Sequence, residues 1–287
     1  MAGASNIVTG DIVMDAVRAA DHDRYLSALY APADKRNALL ALYAFNAEVA
    51  SVRDRIHEPL PGEVRLQWWR DVILAEGDAE TGHPIADALR ATIAANHLPK
   101  TAFENMLEAR IFDLYDDPMP SRTDLEGYCG ETAAALIQLV AMALDPVAAP
   151  GFAELAGRAG CAQAITGLLL LLPLHRRRGQ CFVPGDILAA AGTTPEEFVK
   201  GEGEAAAERA VAAMVALARE HLNAFEKGAP ALPVSLRPAF LPLALTRAHL
   251  DKMEKAGNSV LSRTVALSTL RRHWLLLRHA MRGWTPL

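Results

Sequence analysis

Seventeen prolines cut this 287-residue chain into segments, and none of those segments alternates apolar and polar residues with the period of two that a half-buried strand needs. Between the prolines Ala and Leu dominate. Both are strong helix formers, and runs of β-branched residues are scarce. The pattern predicts an all-α protein. With 51% hydrophobic and 22% charged residues the chain has the balance of a soluble globular protein with a sizeable core, and it carries no low-complexity tether. A single helical domain over residues 1–287 is the economical expectation.

The punctuation places the helices. Asp11 to Leu29 forms a first amphipathic segment, entered from Thr9, Gly10 and Asp11 and closed by Pro32. Ala33 to His57 reads as one long helix ended by Pro59 and Pro61, followed by Gly62 to Glu76. Ile85 to Asn96, a helix started by Pro99 and running to Asp116, and Ser121 to Leu144 come next. Phe152 to Leu172 is the most apolar helix. His175 to Pro184 is basic and irregular. Thr-Thr-Pro-Glu-Glu opens a helix from Thr193 to Phe198, Ala205 to Phe225 follows, Pro242 kinks a helix over Leu236 to Lys255, and Val260 to Met281 closes the chain.

Composition excludes several classes of function. The net charge of −5 supplies no global basic field for nucleic acid. Cys129, Cys161 and Cys181 are widely separated, without CxxC or metal-ligand spacing, and fit reduced thiols of the cytoplasm. No secretory signal is evident, and the apolar run Leu168 to Leu172 is too short to span a bilayer. No P-loop, GxSxG, HExxH or dinucleotide fingerprint occurs.

Four constellations remain, each with a structural and a functional reading. Lys35-Arg36, Tyr43-Ala44-Phe45-Asn46 and Arg53-Asp54-Arg55 lie on one helix that either lines a cavity or ends in solvated charge. Trp68 and Trp69 point about 100° apart, so one packs inwards while the other lies nearer the surface. Arg176-Arg177-Arg178 is either a helix C-cap or a site for an anion, since guanidinium forks suit phosphate and carboxylate. Asp113 and Asp117, four apart, either share a metal or, with Asp116-Asp117-Pro118, mark a simple helix exit.

Taken in order, these motifs resemble the squalene/phytoene synthase family over roughly Tyr25 to Arg282. The carriers are Ala33-Asp34-Lys35-Arg36 leading to Ala41-Leu42-Tyr43-Ala44-Phe45, Asp113-Leu114, Asp124-Leu125 with Tyr128-Cys129, and Arg177-Arg178-Gly179 leading to Phe182-Val183-Pro184. The resemblance implies an all-helical isoprenoid synthase fold around a central cavity. In active members two aspartate-rich motifs grip magnesium, which neutralises the departing diphosphate. Here the first motif falls on Ala50, Ser51 and Asp54, and the second on Leu171 and His175. Only Asp54 matches.

The phrases Phe45-Asn46-Ala47-Glu48-Val49-Ala50, Arg65-Leu66-Gln67-Trp68-Trp69-Arg70-Asp71, His83-Pro84 and Pro173-Leu174-His175 are similar to a narrower group in that family, typified by a mitochondrial complex I assembly factor. That resemblance implies a catalytically degenerate protein with no catalytic residues, no metal and no cofactor. It implies an assembly or prenyl-lipid-binding role with respiratory complex I subunits as partners, in the cytoplasm and at the periphery of the inner membrane. Lys35, Arg36, Asp54, Arg177 and Arg178 are the candidate cavity-edge residues for a prenyl lipid or prenyl diphosphate. The alternative is a working prenyltransferase with magnesium held by Asp54, Asp113, Asp116 and Asp117.

Overall fold

The computed structural model describes residues 2–77 and 79–284, and among them the regular structure is helical throughout, with no strand. In chain order the α-helices are α1 (Ala2–Ala20), α2 (His22–Leu29), α3 (Arg36–Ala50), α4 (Val52–Arg55), α5 (Pro59–Leu74), α6 (Pro84–Asn96), α7 (Lys100–Tyr115) and α8 (Arg122–Cys129). A π-helical turn, Gly130–Ala134, leads into α9 (Ala135–Leu144). Then come α10 (Ala153–Arg177), α11 (Gly185–Ala191), α12 (Pro195–Lys200), α13 (Glu204–Gly228), α14 (Arg237–Phe240), α15 (Thr246–Ala256) and α16 (Thr269–Arg282). The all-α expectation holds.

The chain divides into two compact units. The first comprises residues 1–115, 135–153 and 233–241, and the second 116–134, 154–232 and 242–287. In the first, α3 is the central helix and packs against α1, α2, α6, α7 and α9. Its run Leu39 to Asn46 is buried on every side, as a helix apolar all round must be. Phe45 meets Trp69 and Phe103 edge-on at 5.2 and 5.6 Å between ring centroids, which joins α3 to α5 and α7. Such aromatic pairs add about 1 kcal/mol each beyond their buried area. In the second unit α13 is central. Its buried residues Ala207, Ala210, Met214, Leu217, His221 and Phe225 recur at helical spacing, and it packs against α11 and α15.

Several breaks differ from the sequence expectation. The first segment is two helices, because Asp21 leaves helical geometry and its carboxylate accepts from the Arg24 amide at 2.9 Å as an N-cap. The long second helix stops at Ala50, where the Ser51 hydroxyl donates to the Glu48 carbonyl at 3.0 Å and only α4 continues. Pro59 and Pro61 begin α5 rather than ending its predecessor. The helix α11 falls in a stretch where none was expected, and residues 262–268 precede α16 without helix.

The largest correction concerns α10, which continues through Pro173 to Arg177. An interior proline costs about 3 kcal/mol. Burial of Leu172, Pro173 and His175 offsets it, and the helix then ends on Gly179 at φ +79. The Gly179 amide donates to the Arg176 carbonyl at 3.2 Å and the Gln180 amide to the His175 carbonyl at 2.9 Å, a Schellman closure. The helix start expected at Thr193 falls one residue later, where Thr194 caps α12 in a reciprocal capping box with Glu197. Pro242 lies in a 3-10 turn, Leu241–Leu245, between α14 and α15, as the predicted kink requires.

By length and composition the stretches 122–144 and 149–177 are long and apolar enough to cross a membrane, longer than the run Leu168 to Leu172 with its flanks suggests. Half or more of each apolar window is nevertheless buried within the protein, as in core helices.

Candidate functional site

In the first unit the positions that the resemblance assigns to the first aspartate motif lie where α3 gives way to α4. Ala50 and Ser51 are half-buried, and Asp54 is exposed on α4. The strongest charge arrangement nearby centres on Glu48. Its carboxylate accepts from Arg55 at 3.0 Å and pairs with Arg65 at 3.6 Å. The Arg65 guanidinium stacks 4.3 Å from the Trp68 ring centroid and lies 3.4 Å from Nε2 of His83. His83 caps α6, with Nδ1 facing the Ala86 amide. Trp69 is fully buried while Trp68 is half-buried, the divergence expected of adjacent helical residues.

Lys35 and Arg36 sit at the opposite end of α3 from Asp54. At 1.5 Å per residue the 15 residues of α3 separate them by about 22 Å, so they do not join Asp54 in one cluster. Arg36 donates through Nε to the Ala31 carbonyl at 3.0 Å. Lys35 helps to hold the Asp145 carboxyl below its ordinary range, behind the larger effects of the Ser235 hydroxyl and the Ala148 amide. Asp113 is paired with Arg110 at 3.0 Å, both side chains largely buried.

The second unit carries the other half of the candidate residues. On α10, Gly167 and Leu171 share a face with Leu174 one turn further on, and Leu171 and Leu174 are 47% and 38% exposed. Those leucines therefore present an open apolar face instead of filling the interior. His175 is buried, its ring 4.7 Å from that of Phe182. Of the three consecutive arginines only Arg177 and Arg178 are exposed. Arg176 donates to the carbonyls of Phe198 at 2.9 Å and Leu261 at 3.0 Å, and its guanidinium lies 5.4 Å from the Phe198 ring centroid. Burial lowers its affinity for the proton. The basic segment is thus part cap and part exposed cation pair. Asp116, at φ +55, accepts from the Gln180 side-chain amide (Nε2) at 2.7 Å, and Asp117 is exposed.

These donors do not fit a magnesium clamp. Alanine and leucine offer no oxygen, a buried imidazole is a poor ligand for a hard cation, and Asp113 and Asp116 already have Arg110 and Gln180. Among the described residues no group of three His, Cys, Asp or Glu side chains is placed to hold a metal ion.

The squalene/phytoene synthase family pattern matches residues 17–271. The chain belongs to that family. Complex I assembly factor 6 from Bos taurus is 27% identical over 259 residues, covering 88% of this chain and 75% of its own. The fold is that of a dehydrosqualene synthase (TM-score 0.78, 17% identity, 94% of both chains) and of squalene synthase from Alicyclobacillus acidocaldarius (TM-score 0.74, 20% identity, 87% of this chain and 94% of that one). The isoprenoid synthase fold is therefore kept, while the positions that the resemblance assigns to the carboxylates are Ala50, Ser51, Asp54, Leu171 and His175.

Sequence reasoning did not single out the network of Glu48, Arg55, Arg65 and His83. A signal was present: Glu48 and Arg55 are seven apart, which two helical turns bring to one side, and Arg65 precedes Trp68 by three. It also grouped Arg176 with its neighbours, because only tertiary structure shows which carbonyls that side chain reaches.

Proposed function

We propose that this chain is a catalytically degenerate member of its family that serves as an assembly factor for the respiratory NADH dehydrogenase, working without magnesium in the cytoplasm at the membrane. One observation carries the reading. A squalene/phytoene synthase scaffold is retained, yet of the five positions that the resemblance assigns to carboxylates only Asp54 carries acid. Ionising an allylic diphosphate needs charge neutralisation worth many orders of magnitude in rate, and one exposed carboxylate cannot supply it. The relatives named complex I assembly factor 6 support the same reading.

Deleting the gene in its host should lower both NADH:quinone oxidoreductase activity and the amount of fully assembled complex. Wild type and Asp54→Ala should restore both. Unchanged levels of assembled complex in the deletion strain would refute the assembly role. Magnesium-dependent release of pyrophosphate from farnesyl or geranylgeranyl diphosphate, lost in Asp54→Ala, would establish the prenyltransferase alternative instead.

The open leucine face of α10 favours an additional ligand, a prenyl chain, as a prenyl lipid or quinone tail would supply. Native mass spectrometry of the purified protein should reveal a bound prenyl species, and its repeated absence would remove the lipid from the proposal while leaving the assembly role to the genetic test.

A further inference from the structure

The helix α16 has two apolar faces, and only one of them is in the core. Leu275 and Leu276 are buried. On the opposite side Leu270, Trp274, Leu277 and Met281 are 84%, 59%, 47% and 72% exposed. Their spacing of four, three and four residues puts all four within about 60° of arc on the 100° helical wheel, which makes a continuous stripe. Scattered exposed apolar residues are ordinary, but four in register along one helix are not.

Charge accompanies the stripe. The helix holds four arginines and no Asp or Glu, in a chain whose net charge is −5. Arg271, Arg278 and Arg282 fall together on one flank of the stripe, between the exposed leucines and the buried face. The Arg278 guanidinium lies 5.8 Å from the Trp274 ring centroid, so cation and aromatic are already side by side at the apolar edge. His273 takes the other flank.

We propose that α16 docks this protein on a bilayer surface that carries anionic lipid headgroups. The helix lies in the plane of the interface, with Leu270, Trp274, Leu277 and Met281 among the upper acyl carbons and the arginine row at the headgroup phosphates. An amphipathic helix with an aromatic and leucine face and a cationic flank has this property through two additive terms, apolar burial and attraction to the anionic leaflet. Tryptophan at the stripe's centre suits the interface, where one edge of the ring is apolar and the other polar. A second copy of the chain is a poorer occupant. Four side chains fall well short of the roughly 20 residues a side that a stable interface uses, and pairing two such stripes would bring guanidinium rows together. The inference deepens the membrane location proposed above, and because it rests on α16 its failure leaves the assembly role to the genetic test.

Co-sedimentation of the full chain with vesicles tests it, using phosphatidylcholine alone and phosphatidylcholine with about one-third phosphatidylglycerol. The protein should pellet with the anionic vesicles at least about tenfold more strongly than with the neutral ones, and about 0.5 M salt should release it. Leu270→Glu/Met281→Glu and Arg271→Ser/Arg278→Ser should each weaken binding about tenfold or more while keeping the thermal midpoint, since the substituted side chains are solvent-facing or flank the stripe. Failure to pellet with anionic vesicles at low salt would overturn the proposal, as would equal binding to neutral vesicles or equal binding by the apolar double variant. A concentration-dependent dimer in analytical ultracentrifugation, abolished by Leu270→Glu/Met281→Glu, would assign the stripe to a second copy instead. The salt release of the wild type needs no variant, so a misfolded mutant leaves the test intact.

Discussion

Gly160 on α10 lies against the backbone of Ala134, so close that a Cβ on the glycine would fall far inside van der Waals contact of the Ala134 Cα and amide nitrogen. Ala134 closes the π-helical turn, and the approach is backbone to backbone, so no side chain can rotate away. Gly160→Ala should therefore lose stability despite alanine's better helix propensity, by about 2 kcal/mol net. Chemical denaturation gives the value. A variant as stable as wild type would show that α10 can shift freely there.

Arg176 and Arg177 are adjacent in sequence and opposite in consequence. Arg176 serves the carbonyls of Phe198 and Leu261, whereas Arg177 is exposed. Arg176→Ala should cost about 2 kcal/mol, and Arg177→Ala should stay within about 0.5 kcal/mol of wild type. Urea unfolding of the two variants side by side checks the contrast, and equal losses would contradict it.

The open face of α10 makes a second paired prediction. Leu171, half exposed, should accept aspartate within about 0.5 kcal/mol, while Leu169, fully buried two residues earlier, should lose about 2–5 kcal/mol on truncation to alanine. Thermal melts of Leu171→Asp and Leu169→Ala decide it. A collapsed Leu171→Asp would mean that this leucine fills the interior.

Much of the architecture could be read from the chain because prolines, caps and apolar runs are local signals. Pro84 and Pro99, the Thr194 capping box and the Pro242 kink all behave as their positions dictate. Asp21 as an N-cap and Ser51 as a carbonyl-bound stop are local signals too. Others have no local trace. Pro173 reads as a terminator, and only the burial beyond it, with Arg176 reaching Phe198 and Leu261, explains why α10 continues. The sequence shows Leu171 and His175 where the resemblance implies aspartate. That Leu171 is exposed and His175 buried against Phe182 depends on which way α10 faces, and tertiary packing sets that.

The thiols should differ in reactivity. Burial pushes Cys181 up to about 11, while a hydrogen bond from Cys129 holds Cys161 below its ordinary value. At pH 8 only about one Cys181 in a thousand is thiolate, so iodoacetamide should label Cys161 first, as judged by peptide mass spectrometry. Earlier labelling of Cys181 would contradict this ordering.

Burial also holds the His279 imidazole below 6.5, outweighing the Leu275 carbonyl that its Nδ1 faces at 2.8 Å; Arg278 lowers it further and Glu226 raises it. The unfolded chain therefore takes up the proton first as pH falls. The neutral ring's stabilising contribution is complete above about 6.5 and is lost as pH drops through the lower, folded value. Wild type minus His279→Asn, measured by urea unfolding from pH 7.5 to pH 5, should shrink towards acid; a difference independent of pH would contradict the assignment.

The chain passes between its two units five times, at 115/116, 134/135, 153/154, 232/233 and 241/242. No single cut in the polypeptide separates one unit from the other. Each must gather distant stretches of sequence, so each closes long loops as it folds. Neither half can be expressed, duplicated or exchanged with another protein as a continuous segment. Whatever this scaffold gives up at its carboxylate positions, it must do so by substitution in place, with all of its helices still inherited together.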